Sequence, residues 1–408
     1  MSIKLIQGGV CAPAGFTAGG VRCGLAKKPG KKDLALIYSE TLCTAAASYT
    51  TNKVKAAPVL LTQAHLRDGK AQAIFCNSGN ANACVPGGEE AASRMCFMAG
   101  KLLDLNPEDI IVASTGVIGQ PLNIPLIESA MPKLGQALTG EAEGSKAASS
   151  AIMTTDLMEK EIAVSFELDG KTCSLGGIAK GSGMIHPNMA TMLAFLTTDA
   201  AISSPMLKAA LDFVIPSTFN MVSVDGDTST NDMCAIMANG LAGNSQIITH
   251  GPDFDAFAAA LARVLIYLAR LMARDGEGAT KLLECTVTGA SSDATARILA
   301  KAVIGSNLVK CAMFGKDANW GRIICALGYS GADFDPGQVK ISLASEAGTV
   351  VVCQNGTGLN FSEELALKVL EPEEIGIQIE VGQGEGGAVA WGCDFSYDYV
   401  KINGDYRS

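Results

Sequence analysis

Two hydrophobic periodicities alternate along the 408-residue chain and predict its secondary structure. Short runs rich in β-branched residues, bounded by Gly, Asn or Asp, predict strands, and apolar residues at helical spacing predict amphipathic helices. The predicted strands are 71–77, 110–114, 161–168, 174–179, 192–197, 284–288, 310–314, 322–327, 339–343 and 377–381. The predicted helices are 89–105, 124–138, 205–215, 253–273, 294–304 and 362–370.

The order of these elements predicts the fold class. Strands and helices are interleaved, but the runs 161–168 and 174–179 are close enough to form an antiparallel hairpin. This mixture favours antiparallel or mixed sheets covered by helices, an α+β fold in layers, over a doubly wound parallel sheet. The stretch 254–273 has its apolar residues at helical spacing and also contains Asp255, Arg263 and Arg270, which predicts a soluble amphipathic helix rather than a membrane span.

Composition and charge exclude several classes of function. The chain has 31 Lys and Arg against 41 Asp and Glu, a net charge of −10, which disfavours a nucleic-acid partner. Its basic cluster, residues 27–32, reads as a solvated turn. The 13 Cys form no C-x-x-C pair and there are only three His, so no zinc-ligand spacing occurs. The first residues contain no continuous apolar run, and we expect a cytoplasmic protein with reduced thiols.

The segment 179–199 is the most informative for chemistry. A Gly-rich loop after Lys180 runs into an apolar strand, with Thr191 at the junction. Such loops are ordinarily strand entries, and no phosphate-loop pattern is present. The alternative is self-cleavage, in which the Thr191 hydroxyl attacks the carbonyl of Ala190 and the ester then hydrolyses. Thr191 would become a new N-terminus, whose α-amine, with a pKa of about 7.7–8.0, is a suitable base for the adjacent hydroxyl.

Three other positions have both an ordinary and a catalytic interpretation. Thr115 and Gly116 end an apolar run, either as a simple turn or as a hydroxyl and an N–H that stabilise an oxyanion. Glu277 is either a solvated carboxylate after the long helix or a partner for a substrate ammonium. Lys180 is either a surface lysine or a partner for a substrate carboxylate.

The remaining candidate residues are interpreted as structural. The acidic loop 225–232 lacks the Glu that a calcium loop needs at its twelfth position, and we read it as a turn and helix entry capped by Thr228 and Ser229. No metal site is expected. His186 has no orienting partner in the sequence and is interpreted as a loop residue. Cys76 and Cys325 lie in apolar runs and are predicted to be buried.

The segment from Lys180 to Leu193 resembles the processing site of the ornithine acetyltransferase family, also called glutamate N-acetyltransferases. The resemblance covers essentially the whole chain. Eight further motifs follow in family order: GGVCAPAGF (8–16), GGVR (19–22), NSGNANA (77–83), STGVIG (114–119), IMTTD (152–156), VDGDTSTND (224–232), DGEGATK (275–281) and YVKINGDYRS (399–408). One such motif would be weak evidence. Eight motifs in the order in which the family has them are poorly explained by coincidence.

The resemblance implies a site and a fold. It implies cleavage between Ala190 and Thr191, Thr191 as the nucleophile, and Thr115 with Gly116 as the oxyanion donors. The implied substrate contacts are Thr154, Lys180, Thr191, Glu277, Asn403 and Ser408. Position 408 is commonly Thr in the family, and Ser keeps the hydroxyl. The implied fold is an α-β-β-α sandwich of the N-terminal-nucleophile type, formed jointly by an α chain (residues 1–190) and a β chain (residues 191–408).

The implied reaction is acetyl transfer from N2-acetyl-L-ornithine to L-glutamate through an acetyl-Thr191 ester, a step of arginine biosynthesis. No metal or organic cofactor is expected, because the protein supplies the nucleophile, the base and the oxyanion donors. Some family members also acetylate glutamate with acetyl-CoA, and the residues do not distinguish the two forms. The family suggests a cytoplasmic heterotetramer of two α and two β chains, with no membrane partner. A self-processing aminopeptidase and a single-chain amino-acid-binding protein remain open alternatives.

Overall fold

A computed structural model of the protein describes residues 3–186 and 192–405. Its strands are β1 (Lys4–Ile6), β2 (Phe16–Val21), β3 (Leu34–Tyr49), β4 (Lys70–Asn77), β5 (Ile110–Ser114), β6 (Lys160–Leu168), β7 (Lys171–Lys180), β8 (Leu193–Thr198), β9 (Val222–Ser223), β10 (Met233–Ala238), β11 (Leu282–Ala290), β12 (Lys340–Ser345), β13 (Gly348–Gln354), β14 (Thr357–Gly358), β15 (Glu374–Glu380) and β16 (Gly386–Cys393). Its helices are α1 (Ala57–His65), α2 (Gly88–Leu103), α3 (Ile124–Gln136), α4 (Ala142–Ile152), α5 (Ser204–Val214), α6 (Pro252–Arg274), α7 (Asp293–Gly305), α8 (Asn307–Phe314), α9 (Trp320–Gly328), α10 (Glu363–Val369) and α11 (Tyr397–Asp405).

The long strand β3 joins the two halves of the first sheet. Its first part pairs antiparallel with β2 and β4, and its last part pairs antiparallel with β10. A register shift between Tyr38 and Cys43 separates the two parts. The strand order is β1-β6-β7-β8-β10-β3-β4-β5, with β2 beside the first part of β3. The predicted hairpin of β6 and β7 is present and antiparallel.

The two halves of this sheet share one inner core. Ile37 and Ile74 of the first half belong to the same buried cluster as Phe195 and Ala235 of the second half. Helix α4 contributes Ala148 to that cluster. Because successive side chains of a strand point to opposite faces, the alternate residues face outward and need a different cover.

Helices cover both outer faces of the first sheet. On the first half, Leu36 and Phe75 pack with residues of α2 and α3. On the second half, Leu196 and Ile236 pack with residues of α5 and α6. The layers therefore run helix, strand, strand, helix. The predicted α+β fold with α-β-β-α layers is confirmed.

Helix α6 connects the sandwich to a second sheet, whose strand order is β14-β13-β12-β15-β11-β16-β9. It contacts β6 and β7 on one side and β11 and β16 on the other. Leu261, Val264 and Leu268 are fully buried there. By length and composition α6 is apolar enough to cross a membrane, but 61% of its most apolar window is buried inside the protein. The predicted amphipathic helix is therefore a core helix of this fold.

Two predicted strands were wrong, because the runs 310–314 and 322–327 lie in α8 and α9. A short apolar run cannot distinguish a strand from a buried helix. The deciding signals are the residues in front of each run. The Ser306 hydroxyl accepts a hydrogen bond from the N–H of Val309, and the Asn319 side chain accepts one from the N–H of Arg322. Both are N-caps, which favour a helix.

Two smaller predictions were also wrong. Cys325 is exposed, because the helical spacing of α9 turns Ile323 and Ala326 inward and Cys325 outward. Cys76, in contrast, is buried as predicted. The loop 225–232 does not begin a helix but leads directly into β10. Its side chains instead form hydrogen bonds to neighbouring loops.

Candidate active site

One cavity brings together the described residues that the sequence predicted for the site. It has a volume of about 140 Å³ and opens to solvent. The predicted residues that line it are Thr115, Gly116, Thr154, Lys180, Glu277 and Asn403. They come from separate parts of the fold: the end of β5, the loop after α4, the end of β7, the turn after α6, and α11. The sheet order, not proximity in sequence, brings them together.

The predicted cleavage residues Ala190 and Thr191, and the predicted substrate contact Ser408, lie outside the described residues. Their described neighbours nevertheless relate the site to the cleavage point. Ile185 and Met192 both line the cavity. In the sequence, Met192 directly follows the predicted cleavage point.

The Thr115–Gly116 loop is shaped by a close backbone contact. Gly116 has a φ of +132°, and a Cβ there would lie 2.4 Å from the carbonyl carbon of Gly79 and 2.5 Å from the nitrogen of Asn80. Only glycine fits this position. The N–H of Thr115 donates to the carbonyl of Asn77 at 3.0 Å. Within the described residues the Thr115 hydroxyl has no hydrogen-bond partner, so it remains available to a bound group.

Lys180 is a buried cation at the cavity wall. It is 7% exposed, and it forms neither an ion pair nor a side-chain hydrogen bond with any residue of 3–186 and 192–405. Its charge acts on two nearby carboxyl groups: it helps to lower the pKa of Asp156 and opposes the rise that burial causes in the pKa of Asp232. Burying a charge without a hydrogen-bonded partner costs free energy. The predicted surface lysine is thus a buried group suited to an anionic ligand.

Glu277 is a buried carboxylate in the same cavity. It is 8% exposed, and its Oε2 accepts a hydrogen bond of 2.7 Å from the side-chain amide of Asn403. Its carboxylate lies directly against Gly183, where a Cβ would come within 2.3 Å of the carboxyl carbon. In the described part of the chain it pairs with no cation. The cavity therefore offers a cation and an anion, Lys180 and Glu277, to a ligand that carries both charges.

The comparisons with known proteins identify the family. Residues 17–408 match the model of the ArgJ family. The chain belongs to the ArgJ family. The protein named arginine biosynthesis bifunctional protein ArgJ from Caldanaerobacter subterraneus subsp. tengcongensis is 51% identical over 407 residues, 100% of both chains. Its namesake from Symbiobacterium thermophilum is 51% identical over 410 residues, again 100% of both. The predicted family and the predicted class, an acyltransferase of arginine biosynthesis, are confirmed.

Two solved structures of similar proteins complete the comparison. ArgJ from Bacillus halodurans is 46% identical with a TM-score of 0.49, covering 52% of this chain and 98% of that chain. The ornithine acetyltransferase from Mycobacterium tuberculosis, solved in complex with ornithine, is 36% identical with a TM-score of 0.43, covering 46% of this chain and 100% of that chain.

Asp232 is a residue of this ArgJ-family cavity that sequence reasoning missed. It lines the cavity, is 2% exposed, and its Oδ2 has no hydrogen-bond partner among the described residues. Burial raises its pKa well above the usual value, against the opposing effects of Ser229 and Lys180. The next residue, Met233, donates its N–H to the carbonyl of Met192 at 2.9 Å. An acid at the start of an apolar strand was the available signal.

The Asp232 loop is tied to the Thr115 loop through Asn231. Its side-chain amide donates to the carbonyls of Ala81 at 2.6 Å and Ser114 at 2.8 Å. A second tie runs from the Thr228 hydroxyl to the carbonyl of His186 at 2.9 Å. The predicted caps Thr228 and Ser229 therefore cap no helix: Thr228 joins two loops, and the Ser229 hydroxyl accepts a hydrogen bond of 3.2 Å from the N–H of Asn231 within its own loop.

His186 has a partner of its own, Ser223, whose hydroxyl lies 2.9 Å from Nδ1. Burial, with Lys301 and Lys310 nearby, lowers the imidazole pKa to about 4. A neutral ring of this kind contributes stability above the unfolded-state pKa of about 6.5 and loses that contribution as the pH falls through 4. The reason is that the unfolded chain takes up the proton first.

We therefore expect the wild type to lose stability relative to His186→Gln between pH 7 and pH 4. The expected loss is about 2 kcal/mol, a figure discounted for the partial exposure of the ring. Urea unfolding of both proteins at the two pH values measures it, with the exposed His250→Gln as the matched control. Equal pH dependence of the wild type and His186→Gln would contradict the prediction.

Proposed function

We propose that this enzyme transfers the acetyl group of N2-acetyl-L-ornithine to L-glutamate by double displacement. The observation that carries the proposal is the convergence of Thr115, Lys180 and Glu277 in one cavity whose wall includes Met192. An amino acid is a small ligand with both charges, which suits the paired cation and anion of this cavity.

In the proposed first half-reaction the Thr191 hydroxyl attacks the acetyl carbonyl of the donor, and the α-amine of Thr191 takes the hydroxyl proton. The Thr115 hydroxyl and the Gly116 N–H stabilise the oxyanion. The carbon–nitrogen bond then breaks, the α-amine returns the proton to the leaving nitrogen, and ornithine departs. Lys180 holds the substrate carboxylate and Glu277 the substrate ammonium, while Thr154, Asn403 and Ser408 complete the contacts.

In the proposed second half-reaction glutamate enters the same cavity. Its α-amine attacks the acetyl ester at Thr191, the ester carbon–oxygen bond breaks, and the hydroxyl is restored with the proton that the amine releases. The same oxyanion donors serve both steps, because both pass through a tetrahedral intermediate. The protein's own groups perform each step, so we propose no metal or organic cofactor. Use of acetyl-CoA as a further donor stays an open property of the site.

Self-cleavage between Ala190 and Thr191 is part of the proposal. It would give an α chain of residues 1–190 and a β chain of residues 191–408, assembled as two α and two β chains in the cytoplasm. The sheet supports a lasting association of one α chain with one β chain. Strand β8 pairs with β7 of the first piece on one edge and with β10 of the second piece on the other. One continuous sheet would therefore keep the two pieces together after scission.

The test follows an isotopically labelled acetyl group. After incubation with labelled N2-acetylornithine and no acceptor, we expect the label on the peptide that begins at Thr191, and its loss when glutamate is added. Two-substrate kinetics should give parallel lines. Intersecting lines and unlabelled protein would overturn the double displacement. Release of free acetate without glutamate would instead indicate a hydrolase, and one full-size band on a denaturing gel would indicate a single-chain binder.

Replacing Thr115 by Val is expected to lower kcat by about 10²–10³-fold, because one oxyanion donor is lost while the side-chain volume is kept. KM should change much less, since the donor acts mainly on the transition state. The matched control is Thr115→Ser, which retains a hydroxyl and should keep most of the activity. A Thr115→Val enzyme with wild-type kcat would remove Thr115 from the mechanism.

A further inference from the structure

A buried ion network lies behind the cavity wall, outside the residues assigned to the reaction. The Nζ of Lys160 is 2.7 Å from Oδ1 of Asp156 and 2.5 Å from Oδ2 of Asp275. Lys160 is fully buried, and the two carboxylates are nearly so. Buried ion pairs are rarely net stabilising, because the cost of desolvating the charges rivals their attraction. The contacts of the two carboxylates indicate what this network does.

Asp156 connects two segments of the cavity wall. Its Oδ2 accepts a hydrogen bond of 2.9 Å from the N–H of Thr154, which lines the cavity. Its Oδ1 accepts one of 2.7 Å from the N–H of Gly181, the residue that follows Lys180. One carboxylate thus fixes the backbone on both sides of the site where a substrate carboxylate would bind.

Asp275 connects the same network to the opposite charge of the cavity. Its carboxylate accepts a hydrogen bond of 3.1 Å from the N–H of Leu157, and its carbonyl accepts one of 2.7 Å from the hydroxyl of Ser182. Ser182 in turn accepts, through its carbonyl, the N–H of Glu277 at 3.0 Å. The turn that carries Glu277 is therefore hydrogen-bonded to the segment that follows Lys180.

The charges of the network also match Lys180. Burial alone would raise the pKa of Asp156, but Lys160, Lys180 and the Thr154 N–H outweigh burial and lower it. Asp156 is therefore ionised at neutral pH. Lys180 therefore favours the charged form of Asp156, whereas burial raises the pKa of Asp275.

We propose that Asp156, Lys160 and Asp275 form a positioning network that fixes Lys180 and Glu277 relative to each other and so sets which charge separation a substrate must have. The inference rests on the proposed function, because it assigns the two ends of the substrate to these side chains. None of the three network residues lines the cavity. They act through the backbone of residues 154–157, 180–182 and 275–277.

Asp156→Asn tests the network with little change of shape. The amide keeps one acceptor oxygen, but its NH₂ faces the N–H of either Thr154 or Gly181. That N–H then loses its acceptor. We expect KM for N2-acetylornithine to rise by about 10–100-fold and kcat to change by less than about 3-fold. Amide hydrogen exchange, measured by mass spectrometry, should accelerate in 154–157, 180–182 and 275–277. The matched control is Asp212→Asn, which removes the exposed Lys208–Asp212 pair and should change neither.

The two readouts separate the network from the proposed function. Wild-type protein that transfers no acetyl group would overturn the proposed function. Amide hydrogen exchange of Asp156→Asn would still report on the network. Folded Asp156→Asn with unchanged exchange and unchanged KM would overturn the inference. If Asp156→Asn does not fold, Ser182→Ala takes its place, since it removes only the hydrogen bond from the Ser182 hydroxyl to the backbone carbonyl of Asp275, which joins the network to the Glu277 turn. Its expected rise in KM is about 3–10-fold, and an unchanged KM with unchanged exchange again overturns the inference.

Discussion

Replacing Thr191 by Ala should leave one uncut chain of 408 residues and lower acetyl exchange by at least about 10⁴-fold. The same hydroxyl is proposed to perform two attacks, first on the Ala190 carbonyl and then on the acetyl carbonyl of the substrate. Alanine removes both at once. Intact-mass measurement reports the scission, and a coupled assay with N2-acetylornithine and glutamate reports the exchange.

Thr191→Ser is the matched variant, because it keeps the hydroxyl and loses only the methyl group that restricts its rotation. It should still be cut and should retain measurable exchange at a reduced rate. Two chains together with undiminished exchange in Thr191→Ala would show that neither scission nor transfer depends on this hydroxyl. Met192 would still line the cavity, but the nucleophile would have to be sought elsewhere.

The sequence predicted local structure well where one periodicity was clear. Strands β4, β5, β6 and β7 and helix α6 lie where their patterns placed them. The long strand β3 was not predicted, because its stretch of Ala, Ser and Thr has no regular alternation of apolar and polar residues. Its strand conformation comes from pairing with β2, β4 and β10. That pairing is a tertiary effect, which local patterns cannot express.

The candidate site could be predicted from motifs only as a set of separate positions. Thr115, Lys180 and Glu277 each had an ordinary interpretation, and only the sheet order shows that they share a cavity. Two features had no sequence signal of their own. Asp275, which pairs with Lys160, is 115 residues away from it in the sequence, and the residues next to Lys180 do not indicate that it is buried.

Lys180→Met should separate stability from function, because its expected effects on the two have opposite signs. The ammonium is buried without an ion pair among the described residues, so removing it relieves a desolvation cost and should stabilise the fold by about 1 kcal/mol. Binding of a substrate carboxylate loses its charged partner, and kcat/KM should fall by about 10²–10³-fold. Thermal unfolding and steady-state kinetics on the same preparation measure both effects.

Lys310→Met is the matched control, since it makes the same substitution at another buried lysine. The Nζ of Lys310 donates to the carbonyls of Ser223 at 3.1 Å and Cys393 at 2.9 Å, so this change leaves two buried acceptors unpaired and should destabilise the fold by about 2 kcal/mol. Its kcat/KM should stay near that of the wild type. Lys180→Met with lower stability and normal kinetics would mean that Lys180, like Lys310, is only a structural lysine. Higher stability with weakened binding is the result that a preformed carboxylate site requires, because a site held ready for a charged ligand is strained until the ligand arrives.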